Sequence, residues 1–286
     1  MKHIPVLCNE VLALFEGREL RRVLDGTCGG GGHALAILSA HPEIQEYVAV
    51  DQDTLALEQA RAKLAPFLEK ISFCHGNFSE VDLDGEFDAI LLDIGVSSFQ
   101  IDSPERGFSF LNEGPLDMRM DQSQGETAAD IVNSWDRKEL AGLFWEYGEE
   151  RASRKIADAI VQARRNKRFS TTSDLVAVIE TVLCRRGKIH PATRVFQALR
   201  IAVNRELEVL KDSVPKLSGL LSNYGRFAII TFHSLEDRIV KNEFRALSKS
   251  EGFVLVMKKP IPASREEQRA NKRSRSAKLR CIERNG

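Results

Sequence analysis

Short apolar runs alternate with helically spaced segments along the first hundred residues. "RRVLDG" (21–26) reads as a buried strand ending in a turn, and "HALAILSAH" as the helix after it. "EYVAVDQD" (46–53) is a second strand with acids at its end. "TLALEQARAKLAPFL" is an amphipathic helix that stops near Pro66. "ISFCHGNF" is a third strand and "EFDAILLDIGVSS" (86–98) a fourth. Strands that alternate with helices predict right-handed crossovers and a parallel sheet. The rhythm then breaks. From "QIDSPERGFSF" to about residue 206 the pattern predicts loops and helices only. Residues 129–166 have helical spacing throughout, as do "TTSDLVAVIETVLC" and "PATRVFQALRIAVNRELEVLKDSV". Strand patterns return in "GRFAIITFHS" (225–234), "GFVLVMKK" and "SAKLRCIER", with the helix "LEDRIVKNEFRAL" between the first two. The expected fold is α/β, a discontinuous domain of residues 1–103 and 207–286 interrupted by a helical insertion, 104–206. Only 263–276, "ASREEQRANKRSRS", reads as poorly ordered.

Length and composition change this picture little. The 286 residues, 43% hydrophobic and 29% charged, suit one large domain or one domain with an insertion. No apolar run approaches the roughly 18–20 residues of a membrane span. The opening "MKHIPVLCNEVLALF" carries a proline and an acid where a secretory segment needs an unbroken apolar stretch, so a cytoplasmic protein is expected. Five scattered cysteines, with no C-x-x-C pair, argue against a disulfide framework or a zinc site, and no metal is expected.

Charge changes it more. The net charge is zero, yet residues 1–150 hold 11 Lys and Arg against 28 Asp and Glu, and residues 151–205 hold 13 against 3. The last 29 residues, 258–286, hold 10 against 3. Two basic segments in a neutral chain suggest a polyanionic partner, such as nucleic acid.

The candidate chemistry begins at "LDGTCGGGGH" (24–33). Gly29-x-Gly31-x-x-Ala34 matches the dinucleotide pattern, and Asp51 ends the second strand where an acid would hold ribose hydroxyls. NAD and S-adenosylmethionine both need this geometry. A P-loop signature is absent. Asp25, just before the glycines, suits a ligand bearing ammonium and sulfonium groups and would repel a pyrophosphate; the alternative for it is a turn-former. Asp93 ends the fourth strand and is followed by a polar turn.

"HIPVLCNEVL", "DGTCGGGGH", "ILLDIGVSSFQIDSPERGFSF", "GPLDMRMD", "YGEERASRKIADAIV", "HPATRVFQALRIAVNRELE", "ITFHSLEDRIVK" and "RSRSAKLR" together resemble the bacterial RsmH/MraW family from residue 3 to about 284. That family methylates N4 of a cytidine in 16S ribosomal RNA of the small subunit, with S-adenosylmethionine as cofactor. The resemblance implies a Rossmann-like class I S-adenosylmethionine-dependent methyltransferase domain with an inserted helical domain. By position, Gly31, Gly32 and His33 would line the methionine end of the cofactor and Asp51 would hold the ribose. Phe78 would pack on the adenine, and Asp93 and Gln100 would complete the pocket. Without the resemblance, Phe78 reads as core and Gln100 as a solvated loop residue. The D/N/S-P-P-Y/F motif of many amino-methyltransferases is replaced by "DIGVSSF". Asp93 can still accept from the target amine. Phe99, Phe108 and Phe110 are candidates for stacking on the base.

The N4 amine of cytosine is a poor nucleophile, because its lone pair is delocalised into the ring. A carboxylate accepting one N–H bond would return density to nitrogen and orient it for in-line displacement. His233 is a candidate base or substrate contact, or else a helix-start residue satisfying nearby backbone. Asp237 is expected to pair with Arg238 or Lys241. The target base must be unstacked, which favours a single-stranded or loop substrate. Phosphate contacts are expected from Arg164, Arg165, Lys167, Arg168, Arg194 and Arg200, with Arg185, Arg186 and Lys188 near them in sequence. Gln197 and Asn204 share the polar face of Arg194.

Overall fold

In a computed structural model, which describes residues 5–96, 98–183, 190–250 and 252–286, the chain forms two compact units. Met1–Gly95 with Leu207–Gly286 make one, and Val96–Glu206 the other.

The first unit is built on one sheet. Its strands are β1 (Arg22–Asp25), β2 (Glu46–Asp51), β3 (Ile71–His75), β4 (Phe87–Asp93), β5 (Leu221–Thr231), β6 (Phe253–Leu255), β7 (Ile261–Pro262) and β8 (Lys278–Arg284). The order is β3-β2-β1-β4-β5-β8-β6, with β7 also paired to β8. The first five strands run parallel, and β8 runs antiparallel to β5, β6 and β7. The chain winds outward from β1 to β3, then returns to lay β4 on the other side of β1. That reversal opens a crevice at the carboxyl ends of β1 and β4, where Asp25 and Asp93 lie.

Period-two alternation sends the strands' apolar side chains to both faces. Val23, Tyr47, Ala49, Ala89, Leu91, Ala228 and Ile230 face one way, with α1 (Cys8–Phe15), α2 (Gly32–Ala40) and α3 (Thr54–Lys63) contributing Val11, Phe15, Ile37 and Ala60 to that core. Leu24, Val48, Val50, Ile90, Leu92, Phe227 and Ile229 face the other. There α10 (Glu206–Ser218) and α11 (Ser234–Leu247) add Leu210, Val214, Val240 and Phe244. The 263–276 stretch departs from its expected disorder. It folds into α12 (Arg265–Ala270) and a 3-10 turn, Lys272–Ser276.

The second unit contains α4 (Ser98–Asp102), α5 (Ala128–Ser134), α6 (Arg137–Glu146), α7 (Ser153–Ala163), α8 (Thr172–Val182) and α9 (Thr193–Val203). Its own core includes Leu140, Phe144, Ile156, Ile160, Leu175, Val195 and Leu199. The stretch 129–166 is therefore three helices rather than one, and α4 packs with this unit rather than with the sheet. No described helix is long and apolar enough to cross a membrane.

Candidate active site

Asp25, at the end of β1, is 1% exposed and supports the turn that follows. One carboxylate oxygen accepts from Thr27 N at 3.2 Å, and the other from the buried Tyr47 hydroxyl at 3.0 Å. Burial pushes its pKa up to about 6, against the opposing pull of His33. Thr27 Oγ1 in turn accepts from Asp93 N at 2.6 Å. A chain of bonds thus runs from Tyr47 on β2 through Asp25 and Thr27 to the backbone of Asp93. The bond to Thr27 N is that of a turn-former, one of the two alternatives for Asp25, and it shapes the loop from below the surface. Neither Thr27 nor Tyr47 stands out in the sequence.

The four consecutive glycines serve different neighbours. At Gly31, φ is +74°, and a Cβ would lie 3.1–3.2 Å from Leu64 and Ala60, so the missing side chain lets the loop pack on α3. At Gly32 a Cβ would meet Pro5 at 2.7 Å. These two positions, expected to line the cofactor, are bare because the protein's own chain passes over them. Gly29 differs: φ is +53°, and a Cβ there would have no neighbour closer than the Thr27 carbonyl at 4.0 Å. The open part of the cradle is therefore at Gly29, whose N–H donates to Asp51 Oδ2 at 2.7 Å. Asp51 Oδ1 accepts from Asp53 N at 2.9 Å. Burial raises the Asp51 pKa to about 6, against these backbone bonds.

His33, in the first turn of α2, is 7% exposed, and its Nε2 lies 3.4 Å from Asp93 Oδ2. Burial works against the charged ring, but interactions with Asp93 and Cys8, and the charge of Asp25, outweigh it and raise the pKa to about 10. Neither ring nitrogen has a hydrogen-bond partner of good geometry among the described residues. Nε2 nonetheless faces the Asp93 carboxylate, so the buried ring lies against an anion of the site. Phe78 is buried against Gly26 in the cluster of Leu24, Val50 and Leu92.

His233 turns out to be the N-cap of α11. Its Nδ1 accepts from Glu236 N at 3.3 Å, while Glu236 Oε2 accepts from Phe232 N and His233 N at 2.6 and 3.1 Å. Its Nε2 lies 2.8 Å from Glu236 Oε1. The ring thus satisfies the backbone at the start of α11, as the helix-start alternative has it. Asp237, expected to pair with Arg238 or Lys241, pairs with Lys278 and Arg280 across to β8. Phe232 was missed at the sequence level. A Cβ on Gly95, two residues beyond Asp93, would lie 2.6 Å from its ring, which is half-buried.

The other expected residues belong to the second unit. Gln100 on α4 is 4% exposed, not a solvated loop residue. Phe110 stacks on His190 and meets Phe196 edge-on, and Phe108 packs beside the same core. The Phe99 side chain and Arg185, Arg186 and Lys188 lie outside the described residues. Much of the expected basic surface is spent internally. Arg164 donates to the carbonyls of Val132 and Trp135. Arg200 pairs with Glu206, Lys167 with Asp174, and Arg194 with Glu150. Gln197 donates to Tyr147 O, and Asn204 binds the backbone of Met118 and Met120. Arg165 and Arg168 are exposed, with no ion-pair partner among the described residues.

A mostly parallel sheet with this reversal, a glycine loop after β1, and acids ending β2 and β4 make a Rossmann-like fold. A crystal structure of a candidate rRNA methylase from Clostridium thermocellum shares the fold, with a TM-score of 0.50 at 10% identity over 99% of this chain and 98% of its own. The chain belongs to the MraW methylase family, whose sequence model matches residues 1–285. A ribosomal RNA small subunit methyltransferase H from Acaryochloris marina is 54% identical over 288 residues, 99% of this chain and 94% of the relative. The protein of that name from Persephonella marina is 46% identical over 99% of both chains.

Proposed function

We propose that this methylase transfers a methyl group from S-adenosylmethionine to N4 of a cytidine in 16S ribosomal RNA of the small subunit, in the bacterial cytoplasm. The observation that carries the reading is the Asp93 carboxylate at the β1–β4 crevice, faced by the buried His33 ring and held at its backbone by Thr27. The residues fit the cofactor. The open backbone at Gly29 gives it room, and Asp51 offers an acceptor to ribose hydroxyls. Phe78 closes the adenine side. When bound, the cofactor supplies an electrophilic methyl group on a sulfonium.

Asp93 accepts one N–H of the target amine. That bond localises the nitrogen lone pair and aims it. The His33 imidazolium fixes the carboxylate's orientation. The Phe232 ring, over Gly95, is placed to bound the base on one side. The amine's proton leaves to water once the new N–C bond has formed. The helical segment 104–206 contributes RNA contacts through Arg165 and Arg168, and Arg194 retains a half-exposed guanidinium beside Glu150.

Nucleoside mass spectrometry of 16S ribosomal RNA, from cells with and without the gene, tests the reading. One N4-methylated cytidine should disappear with the gene and return with the plasmid-borne copy. An unchanged set of methylated nucleosides would contradict it.

A further inference from the structure

The second basic segment has a fate different from the first. In the helical unit, four of the six expected cations are held by carboxylates or backbone carbonyls. Between residues 258 and 275, by contrast, Lys258, Lys259, Arg265, Arg269, Lys272 and Arg275 are all exposed, and none has an ion-pair or hydrogen-bond partner among the described residues. The acids here are Glu266, exposed, and Glu267, whose Oε1 accepts from Leu7 N at 2.8 Å.

The segment is also folded and placed. Ser264 caps α12, accepting from Glu267 N, and Asn271 caps the following 3-10 turn. The buried Ser274 hydroxyl donates to Asn271 O at 2.8 Å. Ala263 and Ala277, at either end, lie in the sheet's core. The register fixes which end of the sheet it occupies. Lys278 pairs with Thr231 at the carboxyl end of β5, while Ile230 pairs with Asp93 at the carboxyl end of β4. The Glu267–Leu7 bond ties α12 to the N-terminal segment, whose Pro5 lies against Gly32 of the loop.

From this arrangement we propose that residues 258–275 form a phosphate-binding surface for single-stranded RNA at the reactive end of the sheet, resting on the RNA-methylating function proposed above. Unpaired cations on a stiff support are what backbone phosphates need, because such contacts gain affinity by releasing counterions and require no apolar anchor. None of the large exposed hydrophobic side chains falls in this stretch, so an apolar face for lipid or an aromatic anchor for a protein partner is missing from its described residues.

The test uses the full chain and a short labelled single-stranded RNA, with affinity followed against salt. Replacing Arg265, Arg269, Lys272 and Arg275 together by Gln removes four contacts. At about 0.7 per phosphate on a single strand, the slope of log affinity against log salt should fall by roughly 3. Arg265→Lys with Arg269→Lys and Arg275→Lys should keep the slope. Cofactor affinity by calorimetry should match wild type in both variants, showing that they fold. An unchanged slope in the folded Gln variant would overturn the proposal. So would a loss confined to phosphatidylglycerol vesicles. Full methyl transfer with an unchanged slope would sink this surface alone; a reduced slope in a protein that methylates no RNA would sink the proposed function alone.

Discussion

Asp51 accepts two backbone N–H bonds, one from the glycine loop and one from its own turn, and is still pushed up to about 6 by burial. Because the folded value lies above the ordinary carboxylate value, the native state keeps a proton that the unfolded chain has released between about pH 4 and 6. Stability therefore falls as pH rises through that window, while the anion that accepts ribose hydroxyls exists only above it. Affinity for S-adenosylmethionine should drop as pH falls through about 6, and Asp51→Asn should bind weakly with a flatter profile. Titration calorimetry across that range checks this; equal profiles would remove Asp51 from the site. Asp51 and Asp93 are legible in the sequence because each ends an apolar run with a carboxylate. Thr27, Tyr47 and Phe232 are not: a threonine in a turn, a tyrosine in a buried strand and a phenylalanine at a strand end look like packing until their partners are seen.

At the scale of elements, the inner strands are easily read, since burial on both faces leaves nearly continuous apolar runs. The helical spacing of 129–166 does not show where one helix ends and the next begins, for a local reason. Asp136 with Glu139 forms a capping box that starts α6, just as Thr127 with Asp130 starts α5, and periodicity alone does not register such stops. The folding of 263–276 rests on partners far away in sequence, notably Leu7, which no local window contains. His233 belongs to this scale too. As an N-cap it should be worth about 1 kcal/mol. His233→Ala should lower unfolding stability by about that amount in denaturant titrations and leave single-turnover methyl transfer near wild type at saturating substrates. A rate loss far beyond the stability loss would mark it as a proton acceptor.

Across the whole molecule, the charge count reads correctly as segregated, but not where the charge is free. Internal pairing of Arg164, Lys167 and Arg200 depends on tertiary contacts, so a basic run in the sequence overstates the cationic surface of the helical unit. The sheet brings Asp25, Thr27, His33, Asp51 and Asp93, drawn from three strands and their loops, to one crevice. In this assembly Asp93 activates the amine rather than only holding cofactor. Asp93→Asn keeps the size and one acceptor oxygen and removes the charge. Its single-turnover rate, measured with both S-adenosylmethionine and small-subunit RNA shown to be bound at saturation, is the most direct test. With amine activation lost, the rate should stay about 100- to 1000-fold low, the loss of roughly 3–4 kcal/mol of transition-state stabilisation. A rate restored to wild type by excess cofactor would contradict it.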